Sequence, residues 1–223
     1  MMVDSTGRSV QTRTQRATLL LLLLIVTAFA PFAIVAQDER DALEAFRQDR
    51  YAEALEITAA ELDANPRNIE SIVVRGWTLL ALGRQQQAVD LGLRGLQVNQ
   101  FESRILQIVG QAHFQLGNSL QALEYLERYV QVAPTGAYID WVYFAMGEIF
   151  LGLEEYHRAD IALSTSVFHN SRSASRWSRL GYVREQLEDW EFALQAYERA
   201  LQLDPSFADA VRGRQRVRAE IQG

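Results

Sequence analysis

Three histidines, His113, His157 and His169, are the side chains of this sequence best suited to proton transfer or metal ligation, because imidazole titrates near neutral pH and carries two ligating nitrogens. None has a second histidine at metal-ligand spacing on the same helical face. His113 falls where the local pattern asks for a large core residue, and His157 and His169 fall near a turn and a segment end. The acidic pairs Glu154-Glu155 and Glu188-Asp189 stand just before helical segments, where negative charge favours a helix N-terminus, so they read as structural. Glycines occur singly inside helices or at turns and form no phosphate-cradling loop. With no cysteine there is no thiolate zinc site, nucleophilic thiol or disulfide. All 22 basic residues are arginine, which removes Schiff-base chemistry and a phosphate-loop lysine. The expectation is a non-enzymatic chain with no catalytic, cofactor-binding or metal-binding residue.

A hydrophobic content of 48% with 22% charged residues belongs to a folded chain, and 13 Gly with 4 Pro leave no room for a long linker or low-complexity tail. The formal charge of −6 argues against nucleic acid as a partner, since phosphate recognition needs a basic footprint.

The first 36 residues read as an address. Arg8, Arg13 and Arg16 precede an apolar run that includes Leu19 to Leu24, and Pro31 interrupts it before Ile34-Val35-Ala36 and the polar Gln37-Asp38-Glu39-Arg40. Cleavage after Ala36 is expected. A rival site after Ala30 would leave Pro31 just beyond the cut. The span 17–36 is also long enough to remain as an uncleaved signal anchor, in which case it is the chain's membrane contact. Either way the arginines stay on the cytoplasmic side and everything after Gln37 is exported, to the periplasm in a bacterium.

Elements that could position a site come from an internal repeat. Gly76, Gly110, Gly147 and Gly181 are separated by 34, 37 and 34 residues, and Ala54, Ala88, Ala122, Ala159 and Ala193 by 34, 34, 37 and 34. Both ladders slip by the same three residues, which places an insertion at Thr135-Gly136-Ala137. Asn65-Pro66, Asn99-Gln100, Ala133-Pro134, Asn170-Ser171 and Asp204-Pro205 mark the unit ends. Within a unit the apolar period is helical on both sides of a central turn, as in Leu106, Val109, Gly110 and His113, then Leu116-Gly117-Asn118, then Ala122, Tyr125, Leu126 and Tyr129. Gly83 and Gly117 are expected to end a helix in the left-handed conformation, and the mid-helix glycines to let a second helix approach.

The segment Trp177-Ser178-Arg179-Leu180-Gly181-Tyr182-Val183-Arg184, with Trp190, Ala193, Tyr197, Ala200 and Pro205 after it, resembles the tetratricopeptide consensus, Arg184 standing where tyrosine is usual. Unit three resembles it through Gly110, Gly117, Ala122 and Pro134, and unit four through Gly147, Phe150, Tyr156 and Ala159. The resemblance implies an all-α, right-handed α-solenoid of five helix-turn-helix repeats at about 37–68, 69–102, 103–139, 140–173 and 174–205, plus a capping helix at 206–221, together filling 37–223. Asp41 and Ala45 in the first unit suit an N-terminal cap, and the units should stack into a single elongated core.

In such a fold the first helix of each unit lines a concave groove. The helical wheel assigns to it Val73, Trp77 and Leu80; Arg104, Gln107, Gln111 and Phe114; Trp141, Phe144, Glu148 and Leu151; and Ser178, Tyr182 and Glu185. That surface is aromatic and weakly acidic, which suits a protein or peptide partner. The carboxylate clamp of the chaperone-binding members needs Lys and Asn, which this face lacks. An alternative is a carrier that takes a small apolar ligand in the same cavity.

Overall fold

The computed structural model describes residues 41–222. The export segment at 1–36, its cleavage or retention, and the opening of the first repeat at 37 lie outside the described residues.

Eleven α-helices and no strand are present among the described residues. They are α1 Ala42–Arg47, α2 Tyr51–Ala64, α3 Ile69–Ala81, α4 Gln85–Val98, α5 Ser103–Gln115, α6 Ser119–Val132, α7 Ile139–Gly152, α8 Tyr156–His169, α9 Ala174–Gln186, α10 Trp190–Leu203 and α11 Ala208–Gln222. Odd and even helices pair as α1/α2 to α9/α10, and α11 caps the last pair. This is the expected right-handed α-solenoid of five helix-turn-helix repeats with a terminal helix.

One turn design joins every pair. Asp49, Gly83, Gly117, Glu154 and Glu188 recur at the repeat spacing, with φ of 57°, 69°, 77°, 60° and 59°. After Gly83, for example, Arg84 N–H donates to the Leu79 carbonyl at 2.8 Å while Gly83 N–H donates to Leu80 at 3.1 Å. The other four turns repeat this double closure, which satisfies the last carbonyls of the first helix. The two glycines stand as expected. Glu154 and Glu188 hold the left-handed position itself, which the reading of their pairs as helix-start charge overlooked, while Glu155 and Asp189 sit at the N-caps without a capping bond.

Between repeats the chain turns on a side-chain carbonyl or carboxylate. Asn65, Asn99, Asn170 and Asp204 each accept from the backbone N–H two residues on, at 3.1, 3.0, 3.3 and 2.9 Å. Ala133 has no such group, and its junction runs over 133–138 where the others span 65–68, 99–102, 170–173 and 204–207. Tyr129 stabilises it instead: its hydroxyl oxygen accepts from Tyr138 N–H at 3.0 Å.

The alanines Ala54, Ala88, Ala122, Ala159 and Ala193 are completely buried. An added methyl at Gly110, Gly147 or Gly181 would meet Leu126, Leu163 or Tyr197 of the second helix of the same repeat at 2.6–2.9 Å, so close approach is real. Repeat two departs because Gly92 takes the place of those large residues. Val109 of the next repeat fills the space, 2.3 Å from where a Gly92 methyl would be. The core runs as three clusters, centred on Ile105 and Val109, on Leu126 and Leu163, and on Tyr197 and Val217. Half-buried Leu96, Tyr125 and Trp177 touch two clusters each and make the interior continuous.

Candidate binding groove

The first helices of the five repeats, α1, α3, α5, α7 and α9, continued by the capping helix α11, present one face built from contacts between neighbours. Phe46 stacks on Trp77 with ring centres 6.0 Å apart, and Phe114 meets Trp141 edge-on at 6.2 Å. Tyr138, from the longer junction between repeats three and four, reaches past α5 to within 6.3 Å of Trp77 on α3. Side chains from repeats this far apart can meet only if the face curves inward, so the surface is concave there.

Charge on this face is organised as a ladder of arginine–carboxylate pairs joining one first helix to the next. Arg104 grips Glu70 at 2.7 and 2.8 Å, Arg179 grips Glu148 at 2.6 and 2.7 Å, and Arg216 grips Glu185 at 2.6 and 2.8 Å, each with two N–H groups. Arg176 reaches Asp140 at 2.5 Å, where Asn170 also donates at 2.9 Å. Forked pairs of this kind fix orientation more than they add stability. The hydrogen bonds from Arg104 hold the Glu70 and Glu102 carboxyls below their usual range. Burial pushes Asp140 and Glu185 upward, but bonds from Asn170 and Arg176, and from Arg216 and Tyr197, outweigh it and leave both lowered. Tyr197 is raised by its burial and by the carboxylate of Glu185, to which it donates at 2.6 Å.

The wheel assignment of groove residues divides by position. Val73, Gln107, Phe144 and Ser178 are equivalent, and Val73, Gln107 and Ser178 are 0%, 2% and 3% exposed. This position faces the seam between adjacent first helices, so Val73, Gln107 and Ser178 are packed interior rather than open surface, and Leu80 is buried as well. Trp77, Arg104, Gln111, Phe114, Trp141, Phe144, Glu148, Leu151 and Glu185 are half-buried and share the concave face, and Tyr182 is the most open of the aromatics there at 36%. Trp77 donates through its indole N–H to Gln107 at 3.2 Å, and Gln107 donates in turn to Gln111. Glu148 and Glu185 are matched by Arg179 and Arg216, while Arg104 serves both Glu70 and Glu102, so the acids of this face are held by arginines and the ladder keeps one acid in excess.

Sequence reasoning missed Phe46, Glu70, Tyr138, Asp140, Arg176, Arg179 and Arg216. A usable signal was present, since each acid precedes its arginine by 31 to 36 residues, about one repeat. Arg184, at the position usually tyrosine, bonds Asp160 at 2.9 Å and Ser164 at 3.1 Å on the preceding repeat.

His113 is half-buried and stacked on Tyr125 with 12° between planes, and burial lowers its pKa. His169 is exposed and stacks on Tyr143, and His157 is exposed. Among the described residues no group of three His, Asp or Glu is arranged to hold a metal ion. No helix among them is long and apolar enough to cross a membrane.

Two segments match the family model described as tetratricopeptide repeat, residues 103–135 and 174–207. A search of curated proteins returns no match. Solved structures share the fold. Residues 41 to the end of MamA from Desulfovibrio magneticus RS-1 superpose with a TM-score of 0.66 at 20% identity, covering 75% of this chain and 93% of that one. Another MamA structure gives 0.65 at 17% identity over 75% and 96% of the two chains. YrrB, a tetratricopeptide-repeat protein with an unusual peptide-binding site, gives 0.67 at 14% identity over 74% and 84%. With its repeat spacing, its five identical turns and its two matched units, the chain is a tetratricopeptide-repeat protein.

Proposed function

We propose that this chain is a non-enzymatic scaffold that holds a protein or peptide in the concave face of its first helices. The observation that carries the reading is the set of partly open rings, Trp77, Phe114, Trp141, Phe144 and Tyr182, spread over four successive repeats. Aromatic anchors of this kind supply contact area at low entropic cost. Their background is a face whose charges are largely paired within the chain, so the rings are left as its open contacts. The fold neighbour YrrB carries a peptide-binding site and lends support by analogy. A small apolar ligand is the weaker reading, because the pocket of about 220 Å³ beside Tyr182 on this face is ringed by Arg179, Asp209, Arg212 and Arg216, and two larger clefts lie away from the face.

To test it, peptides selected by display against the full chain are titrated against variants. Trp77→Ala with Trp141→Ala should weaken binding about tenfold or more, by the size of aromatic hot spots. Tyr182→Ala, at the most open ring, should weaken it without changing helix content. Unchanged affinity in all of them defeats the groove reading, and loss of folding in the double variant reassigns those tryptophans to the core.

The location proposed is outside the cytoplasmic membrane, supported by the arginine-flanked apolar run over 17–36. The cysteine-free sequence makes the test clean: Gln131→Cys, at an exposed position, should react with an impermeant maleimide in intact spheroplasts. Reaction only after lysis would place the repeats inside.

A further inference from the structure

Away from the concave face, two seams between repeats open into clefts built from equivalent positions. One, of about 400 Å³ between α2, α3 and α4, is lined by Leu62, Ile72, Arg75, Leu91 and Arg94 among others. The second, of about 750 Å³ between α8, α9 and α10, carries Val167, Trp177, Leu180, Ala196 and Arg199 in the same places. In the seam between repeats two and three, Tyr125 replaces Leu91 and Ala196. There Arg128 lies 5.4 Å from the Tyr125 ring and donates to the Gln100 carbonyl at 3.1 Å, occupying that space.

Arg75 breaks the pattern. Its place in later repeats is held by Val109, Met146 and Leu180, all buried apolar residues. The guanidinium is half-buried, and one of its nitrogens donates to the Leu55 carbonyl at 2.7 Å and to the Thr58 hydroxyl at 3.3 Å. Four other half-buried arginines, Arg104, Arg176, Arg179 and Arg184, have carboxylates at 2.7, 2.5, 2.6 and 2.9 Å, whereas Arg128 and Arg214, like Arg75, have no such ion pair among the described residues, Arg128 lying instead over the Tyr125 ring. Among the described residues no carboxylate comes within ion-pair distance of Arg75. Burial, then the charges of Arg94 and Arg84, act against its protonated form, and Asp63 on the cleft wall opposes them more weakly.

A partly desolvated cation without a counterion is costly, and a guanidinium offers a planar fork suited to two oxygens of one anion. We propose that the cleft between α2, α3 and α4 binds an oxyanion, a carboxylate or phosphoryl group, with Arg75 as the inner donor and Arg94 as the second cation. Ala59, Leu62, Ile72 and Leu91 give that anion an apolar wall for the carbon skeleton attached to it.

The test uses the full chain in a non-ionic detergent at fixed ionic strength, with chloride replaced stepwise by succinate or by inorganic phosphate. An anion at a hundred times its Kd multiplies the folding constant about a hundredfold, raising the thermal midpoint by about 5 °C or more. Response to succinate alone identifies a carboxylate ligand, response to phosphate alone a phosphoryl ligand, and response to both the shared oxyanion chemistry. Arg75→Leu, which restores the residue type of Leu180, should abolish the response, and Arg94→Gln should raise the apparent Kd about tenfold, the loss of one charged hydrogen bond. No response in the unaltered chain, or an equal response in Arg75→Leu, overturns the proposal. Should Arg75→Leu fail to fold, Arg94→Gln decides: an unchanged Kd overturns it, and a raised one supports it.

Discussion

Gly213→Ala puts a methyl group where the capping helix touches the last repeat. The new carbon would lie 2.1, 2.4 and 2.6 Å from three atoms of the Tyr197 ring, against an ordinary contact of 3.4 Å or more. Tyr197 cannot retreat, because Gly181 stands on another side of the ring, where an added methyl would sit at 2.9 Å. Its hydroxyl is also tied to Glu185, which Arg216 of α11 holds in turn. Relief therefore requires α11 to move out by about 1 Å or to detach, and such overpacking costs about 1–3 kcal/mol. Replacing glycine by alanine inside a helix returns up to about 1 kcal/mol. The net expectation is a loss of about 1–2 kcal/mol in a urea titration of the full chain followed by circular dichroism. Gly152→Ala serves as the control, since nothing lies within 4 Å of the added methyl, and it should leave stability unchanged or raise it by a few tenths of a kcal/mol. A Gly213→Ala variant as stable as the starting chain would refute the argument that the cap is seated by this contact.

At the turns, Glu154→Gly and Glu188→Gly should each stabilise the fold by about 0.5–1 kcal/mol, because φ near 60° is strained for glutamate and free for glycine; a loss of stability in both would show that the acids contribute more than the strain removes. The contribution of Glu70, Glu102, Asp140 and Glu185 to stability should be constant above the ordinary glutamate value of 4.5 and be lost as pH falls below it through their depressed values, since the unfolded chain then binds more protons than the folded one. The lowered His113 acts in the same direction from its ordinary 6.5 downward, and His113→Phe should remove that upper part of the pH dependence in urea titrations. Arg179→Met should leave the repeat folded, a partly exposed pair being worth about 1 kcal/mol, while shifting peptide affinity if the Glu148–Arg179 pair shapes the groove; unchanged affinity would confine that pair to a structural role.

Repeat length, turn and core positions were legible because each is fixed by sterics within one repeat. A buried alanine once in each repeat has no alternative when two helices touch, and a left-handed turn residue announces itself when it is glycine, as at Gly83 and Gly117. Where the same conformation is held by Asp49, Glu154 or Glu188, the residue type carries no such mark and only the register reveals it. The groove was harder to read because a helical wheel treats each helix alone. Whether Val73 or Trp77 faces outward depends on how closely α1, α3 and α5 approach one another, a quantity set by stacking and not by either helix.

That difference also explains the charges. Read singly, Glu148 and Glu185 look like acidic features available to a partner. Read one repeat onward, Arg179 and Arg216 answer them, so a partner that uses either acid must first break a two-point arginine contact. In the proposed groove, specificity would therefore fall to the rings, whose open edges are not taken up by such ion pairs. Arg75 is the converse case, a charge in the seam to which no described carboxylate responds, and there the chemistry favours an anion from outside.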